Sequence, residues 1–164
     1  MWFPEGLIYE DNYWIAIINY NATRVGMIRE ELYHYRRNVF STTLQRNNLK
    51  HLDRLKIELM KLEELLKRGL YEAYKQNIEY DFICLYFINT VAGLVNKFDE
   101  IPQGIIREMQ AVTQKLFPDW RQNALLNQYP QLVMMCQMID YPFERGDKNE
   151  VFNVYMNLKK MYDV

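Results

Sequence analysis

Glycine and proline together supply only 11 of the 164 residues. That is too few for the many tight turns of an all-β fold. Cysteine is nearly missing: Cys84 and Cys136 stand 52 positions apart, which excludes a disulfide framework and fits lone buried thiols in a reducing compartment. No charge of one sign dominates, because 20 Lys and Arg face 21 Asp and Glu for a net charge of -1. Without a basic field to hold a polyanion, a dedicated nucleic-acid binder is excluded. No run reaches the ~18 apolar residues of a membrane span. The best candidate, Phe82 to Val95, is broken by Cys84, Asn89 and Gly93. Met1-Trp2-Phe3-Pro4-Glu5 lacks the basic region of a secretory leader. Glycine-rich phosphate loops, zinc-type cysteine pairs, H-E-x-x-H and G-x-S-x-G are all absent. His34 and His51, 17 positions apart, make no metal pair, and His51 is expected on the surface of the first long helix.

What the chain has is apolar and aromatic bulk: 49% hydrophobic residues, 15% aromatic residues and 13 tyrosines. Such a chain can bury enough surface to offset its chain entropy, so it folds. Texture changes near residue 47, dividing the sequence into 1–47 and 48–164. Past that point helical periodicity dominates. Leu52, Leu55, Leu59, Leu62 and Leu66 follow 3-4-3-4 spacing and predict a helix from Leu49 to Arg68. The stripe reads as a face docked on its own core or as a partner seam. Gly69 is placed to cap it. A second helix runs from Leu70 or Tyr71 to Lys97, and its second half is apolar nearly all round, so it belongs at the centre of the core. Pro102 opens a third helix that stops at Phe117-Pro118-Asp119. A fourth covers Leu132 to Asp140, and a fifth covers Asn149 to Tyr162 after the Arg145-Gly146-Asp147 turn. Before residue 47, Glu10-Asp11-Asn12 lead a short helix carrying Tyr13 to Ile18. Val25 to Tyr35 alternates loosely and predicts a strand or hairpin, which cannot stand alone. The expected fold is therefore mainly α, about five helices in a bundle with a small β-containing N-terminal part.

One segment could carry chemistry. Glu10 and Asp11 sit at the head of a helix, after Leu7-Ile8-Tyr9. Adjacent acids there either cap the helix or present a carboxylate to a pocket. Trp2, Trp14, Trp120 and several tyrosines either fill the core or offer faces for sugar rings.

The segment Gly6-Leu7-Ile8-Tyr9-Glu10-Asp11-Asn12-Tyr13 resembles the glutamate-aspartate motif of family 2 glycosyltransferases, which are inverting, nucleotide-sugar-dependent enzymes of the A-type fold. Leu32-Tyr33-His34-Tyr35-Arg36-Arg37-Asn38-Val39-Phe40-Ser41-Thr42-Thr43 resembles the Y-x-Y-R-x-N-x-x-S-T-T stretch of bacterial polysaccharide and teichoic-acid-type members. His51-Leu52-Asp53-Arg54-Leu55, Arg68-Gly69-Leu70-Tyr71-Glu72 and Phe117 to Asn123 resemble the helical tail of the same members, so the resemblance covers most of the chain. It implies that 1–47 is the acceptor-side edge of an α/β catalytic domain and 48–164 a helical appendix. Asp11 would be the base that deprotonates the acceptor hydroxyl, accompanied by Glu10. Arg36, Ser41, Thr42 and Thr43 would lie near the diphosphate of the nucleotide sugar, although a strand-end charge and a turn cluster are the plain alternatives. No metal ligand is expected in this chain. The family's D-x-D and its divalent cation, Mg or Mn, would belong to a preceding half, for this sequence has no D-x-D. Partners implied are a nucleotide-diphosphate sugar and a glycan or lipid-linked acceptor, with no nucleic acid. The place implied is the cytoplasm or the inner membrane face, with peripheral membrane association. The competing expectation is a free-standing helical interaction module that forms a homodimer through the leucine stripe.

Overall fold

The computed structural model describes residues 4–34, 38 and 41–162. Helix accounts for 67%, and no strand occurs among the described residues. The central element is one 27-residue rod, Tyr71–Lys97. It comprises α3 (Tyr71–Phe82), a π-helical turn (Ile83–Ile88) and α4 (Asn89–Lys97). Phe82, Ile83, Tyr86, Phe87, Val91, Leu94 and Val95 are all buried on it. The widened turn leaves the Leu85 carbonyl to a side chain, and Thr90 Oγ1 donates to it at 3.2 Å. Length and apolarity alone would let this rod cross a bilayer. In this fold those side chains instead pack against the surrounding helices, in line with the sequence expectation of a core helix.

Around the rod lie α1 (Glu10–Asn21), α2 (Asp53–Lys67), α5 (Ile105–Leu116), α6 (Pro130–Cys136) and α7 (Lys148–Tyr162). The α2–α3 corner is a left-handed cap at Gly69, φ 68°. Gly69 N donates to Leu66 O and Leu70 N to Leu65 O, at 2.9 and 3.0 Å, so the last carbonyls of α2 stay bonded. At the other end of the chain, the Glu150 carboxylate accepts from the backbone N–H groups of Glu144, Arg145 and Gly146. Asp147 caps α7 through Glu150 N. Lys148 then reaches back to the carbonyls of Leu94, Val95 and Phe98, where a cation offsets the negative end of α4.

Three expectations are corrected. First, Val25 to His34 forms no strand. Val25 is 89% and Met27 86% exposed, and the segment has no paired neighbour to supply a ladder. The α/β part expected at the N-terminus is replaced by α1 and an irregular segment; Tyr35 lies outside the described residues. Second, the leucine stripe does not form one face. Leu62 is buried and Leu52 and Leu55 pack on the core, but Leu59 and Leu66 are exposed. Third, the inward face of α2 holds Ile57, Glu58, Lys61, Leu62 and Leu65, so it buries two charged residues.

Glu58 is fully buried and its carboxylate is ion-paired with the Lys61 ammonium one turn on. Across the interface Tyr20 of α1 donates to Asp81 Oδ2 of α3 at 3.3 Å. Burial raises the Glu58 carboxyl above its ordinary range. Lys61 and then Arg54 oppose that shift, and Asp81 adds to it. Burial likewise raises Asp81, against Lys61 and Tyr20. The folded state therefore holds these two protons more tightly than the unfolded chain. Their contribution to stability is greatest below the ordinary carboxylate range and is lost as pH rises through the raised values. Lys61→Met removes the cation facing both carboxyls and should cost about 3–5 kcal/mol near neutral pH. The loss should shrink below about pH 4. Urea unfolding at the two pH values checks this, and an equal loss at both would mean the carboxyls are not coupled to Lys61.

Candidate functional site

The site begins with a backbone constraint. Tyr9, immediately before α1, has φ 70° and ψ 21°, a left-handed conformation that costs a bulky side chain about 1–2 kcal/mol. Such outliers persist only where surrounding contacts over-determine them. Here the contacts come from one short stretch. The preceding amide, Ile8 N, donates to Asp53 Oδ2 at 3.0 Å. Lys50 donates to Gly6 O and sits 3.6 Å from Asp53. The Tyr9 hydroxyl lies 3.2 Å from His51 Nδ1. The Arg54 guanidinium stacks over the Tyr9 ring at 4.4 Å from its centroid.

His51 is not the surface residue expected; it is only 5% exposed. Its Nε2 is 2.7 Å from the Gln45 carbonyl. A carbonyl can only accept, so Nε2 carries a proton and Nδ1 faces the Tyr9 hydroxyl, which can either donate to it or accept from it. The ring thus links the Tyr9 turn to the strand of chain leading into α2.

These contacts wall a cavity of about 280 Å³ between the Tyr9 turn, the start of α2 and the face of α4. Among the described residues its charged lining groups are Arg54 and Lys97, and none brings a carboxylate to it. Burial, and then the like charge of Arg54, lower the Lys97 ammonium below its ordinary value. Lys97 Nζ also donates to Thr43 O at 2.9 Å.

The residues singled out in the sequence fall around this cavity in different ways. Glu10 and Asp11 form the first turn of α1, directly after Tyr9. Asp11 is exposed, and among the described residues its carboxylate accepts only from the neighbouring Asn12 N, at 3.0 Å. Neither acid is the N-cap, which is Tyr9, and no side chain caps the helix, but both stand in its first turn, where the helix dipole favours negative charge. Ser41, Thr42 and Thr43 form a single 3₁₀ turn (Thr42–Leu44), with Ser41 Oγ and Thr43 Oγ1 3.0 Å apart. Only the Thr43 carbonyl reaches the cavity wall, through Lys97. Arg36 lies outside the described residues. The sequence reading missed Tyr9, Arg54, Asn89 and Lys97. Of these, only Tyr9 and Arg54 sat inside quoted motifs.

The other quoted motifs are structural in this fold. Asn123, 1% exposed, donates to Gln76 O and accepts from Leu125 N and Leu126 N. Trp120 is buried, with Arg121 stacked at 4.5 Å. Neither thiol is activated: burial pushes Cys84 up to about 11 and Cys136 to about 12. Among the described residues, no three His, Cys, Asp or Glu side chains gather as a ligand set for a divalent cation. Comparison with family models, curated proteins and solved structures found no match.

The clamp under Tyr9 gives a direct test. Asp53→Ala should speed hydrogen exchange of the Ile8 amide about tenfold or more, the factor equivalent to ~1.4 kcal/mol for a bond to a charged acceptor. Core amides of α4 should be unaffected. An unchanged Ile8 amide would mean that Asp53 does not hold the turn.

Proposed function

We propose that this chain is the acceptor-side and helical C-terminal portion of an inverting, nucleotide-sugar-dependent glycosyltransferase of family 2. The reaction moves a hexose to a hydroxyl of a cell-surface glycan or lipid-linked acceptor. Asp11 takes the hydroxyl proton as that oxygen bonds to the anomeric carbon. The bond from that carbon to the diphosphate breaks, the nucleoside diphosphate leaves with the electron pair, and the configuration inverts. Glu10 flanks the base. Ser41, Thr42, Thr43 and Arg36 serve the diphosphate side, where hydroxyls and a guanidinium offset developing charge.

The observation that carries this reading is the exposed Asp11 carboxylate, held by a strained turn whose clamp is His51-Leu52-Asp53-Arg54. The motif around Asp11 and the motif around Asp53 are far apart in sequence yet in direct contact, as expected of parts of one device. Among the described residues no ligand set for a divalent cation gathers; in this reading a preceding α/β half would hold the nucleotide and its cation, and the isolated chain would not transfer alone. In the full-length transferase, Asp11→Asn should abolish turnover, with donor binding within about twofold of wild type. Turnover retained in that variant removes Asp11 as the base. An open reading frame that stops directly upstream of Met1 removes the transferase reading altogether.

A second reading is favoured by the two exposed leucines of α2. Leu59 and Leu66, one heptad apart, are 39% and 52% exposed, and as a partner seam they would make the chain a helical dimerisation module. Sedimentation of Leu59→Glu decides it: a dimer that survives the substitution does not use this face.

A further inference from the structure

We propose that the cavity between the Tyr9 turn, α2 and α4 is a binding site for the phosphate group of a small phosphorylated ligand, with Arg54 as its principal anchor. The inference does not depend on the transferase reading, because it rests on which groups line the cavity and what they already bond.

Arg54 and Lys97 supply two cations, and among the described residues no lining side chain supplies an anion. Arg54 is half-buried at the first turn of α2. Its guanidinium is oriented by the Tyr9 ring, and among the described residues no carboxylate lies within ion-pair distance of it. A stacked face leaves the in-plane N–H fork open, and that fork matches phosphate oxygens. Lys97 gives one bond to Thr43 O, which leaves two ammonium protons. Asn89, at the start of α4, lines the cavity with no partner among the described residues. The other polar lining groups are spent: Thr90 on Leu85 O, Asn96 on Ala92 O, and His51 on Tyr9 and Gln45. The donors that remain come from α2 and from the two ends of α4. Two cations with a free guanidinium fork favour the more highly charged phosphate over a carboxylate.

Gly93 gives a second, independent observation. It lies in the interior of α4, where glycine costs up to about 1 kcal/mol against alanine. A Cβ there would meet no atom within 4 Å, so close packing does not explain the residue. Gly93 lines the cavity, and its bare backbone keeps that wall open. At about 280 Å³ the space holds a phosphate with part of the molecule that carries it.

The test is a titration of the 164-residue chain followed by ¹H–¹⁵N spectra at fixed ionic strength. The ligands are inorganic phosphate, glycerol phosphate and acetate. The expected result is saturable shifts at the amides of 51–54 and 89–97 with either phosphate, at least about tenfold stronger than with acetate. Arg54→Gln should weaken phosphate binding about tenfold or more, with the far-UV circular dichroism unchanged. Asn89→Asp, at an exposed position, should do the same by placing an anion in the cavity. Tighter binding of glycerol phosphate than of inorganic phosphate assigns a phosphate ester as ligand. Equal binding of the two assigns the free anion. The proposal is overturned by no saturation below about 50 mM, by shifts confined to other lysines, by acetate binding as tightly as phosphate, or by both variants binding like wild type.

Discussion

The second half of the 27-residue rod is apolar nearly all round and cannot lie on a surface, and the rest of the fold follows from covering it. Tyr71–Lys97 is buried along most of its second half. α2, α5, α6 and α7 each bury a face against this rod or against one another. The constraint is most severe at its C-terminal end, where carbonyls without helical partners must find donors. Lys148 takes those of Leu94, Val95 and Phe98; Arg46 takes that of Asn96; Asn47 N takes that of Lys97. Residues from before and after the rod in sequence are thus drawn to one point. The cavity wall formed by Lys97 and Asn96 is a by-product of that convergence.

The second organising feature is polar. Glu58, Lys61, Asp81 and Tyr20 join α1, α2 and α3 inside otherwise apolar contacts. Burial of the two carboxyls is opposed mainly by one ammonium, with Arg54 helping at Glu58 and Tyr20 at Asp81, so the group is not a strong source of stability. Its effect is on register. An ion pair inside an interface penalises any slippage of α2 that would leave one charge unpaired, which a run of leucines alone would tolerate. Leucines placed every three or four residues could rotate into several equivalent packings; Glu58 and Lys61 cannot.

That point also explains what the sequence made legible. The rod, the Gly69 cap and the Arg145-Gly146-Asp147 turn were all readable, because each rests on local chemistry: apolarity, a left-handed glycine, a turn before a helix. Pro102 was misplaced, since α5 starts at Ile105 after a left-handed Gly104 and Pro102 lies outside it. The face of α2 was not readable. Periodicity weighs apolar side chains, so it put Leu59 and Leu66 on the same stripe as Leu62 and gave no sign that Glu58 and Lys61 face inward. The β expectation for Val25 to Tyr35 failed for a related reason. Alternation describes a strand only when a partner exists to pair with, and none is present here. At the site, Glu10 and Asp11 stood out as adjacent acids, whereas Tyr9 gave no signal, since a left-handed tyrosine is invisible until its backbone is seen.

The strained turn ties these levels together. A left-handed tyrosine costs stability that glycine would not lose, and Gly6, three residues earlier, shows that the segment already uses glycine where only conformation matters. At position 9 the side chain is retained because it does three things at once. Its hydroxyl bonds His51, its ring orients Arg54, and its backbone sets the direction in which α1 begins. The first two contacts shape one wall of the cavity, and the third fixes where Glu10 and Asp11 stand. A substitution that relaxed the backbone would therefore free the acids and the guanidinium together. Tyr9 is thus shared by the start of α1, where the exposed carboxylate stands, and by the wall of the cationic cavity, while Asp53 and Lys50 hold the turn before it.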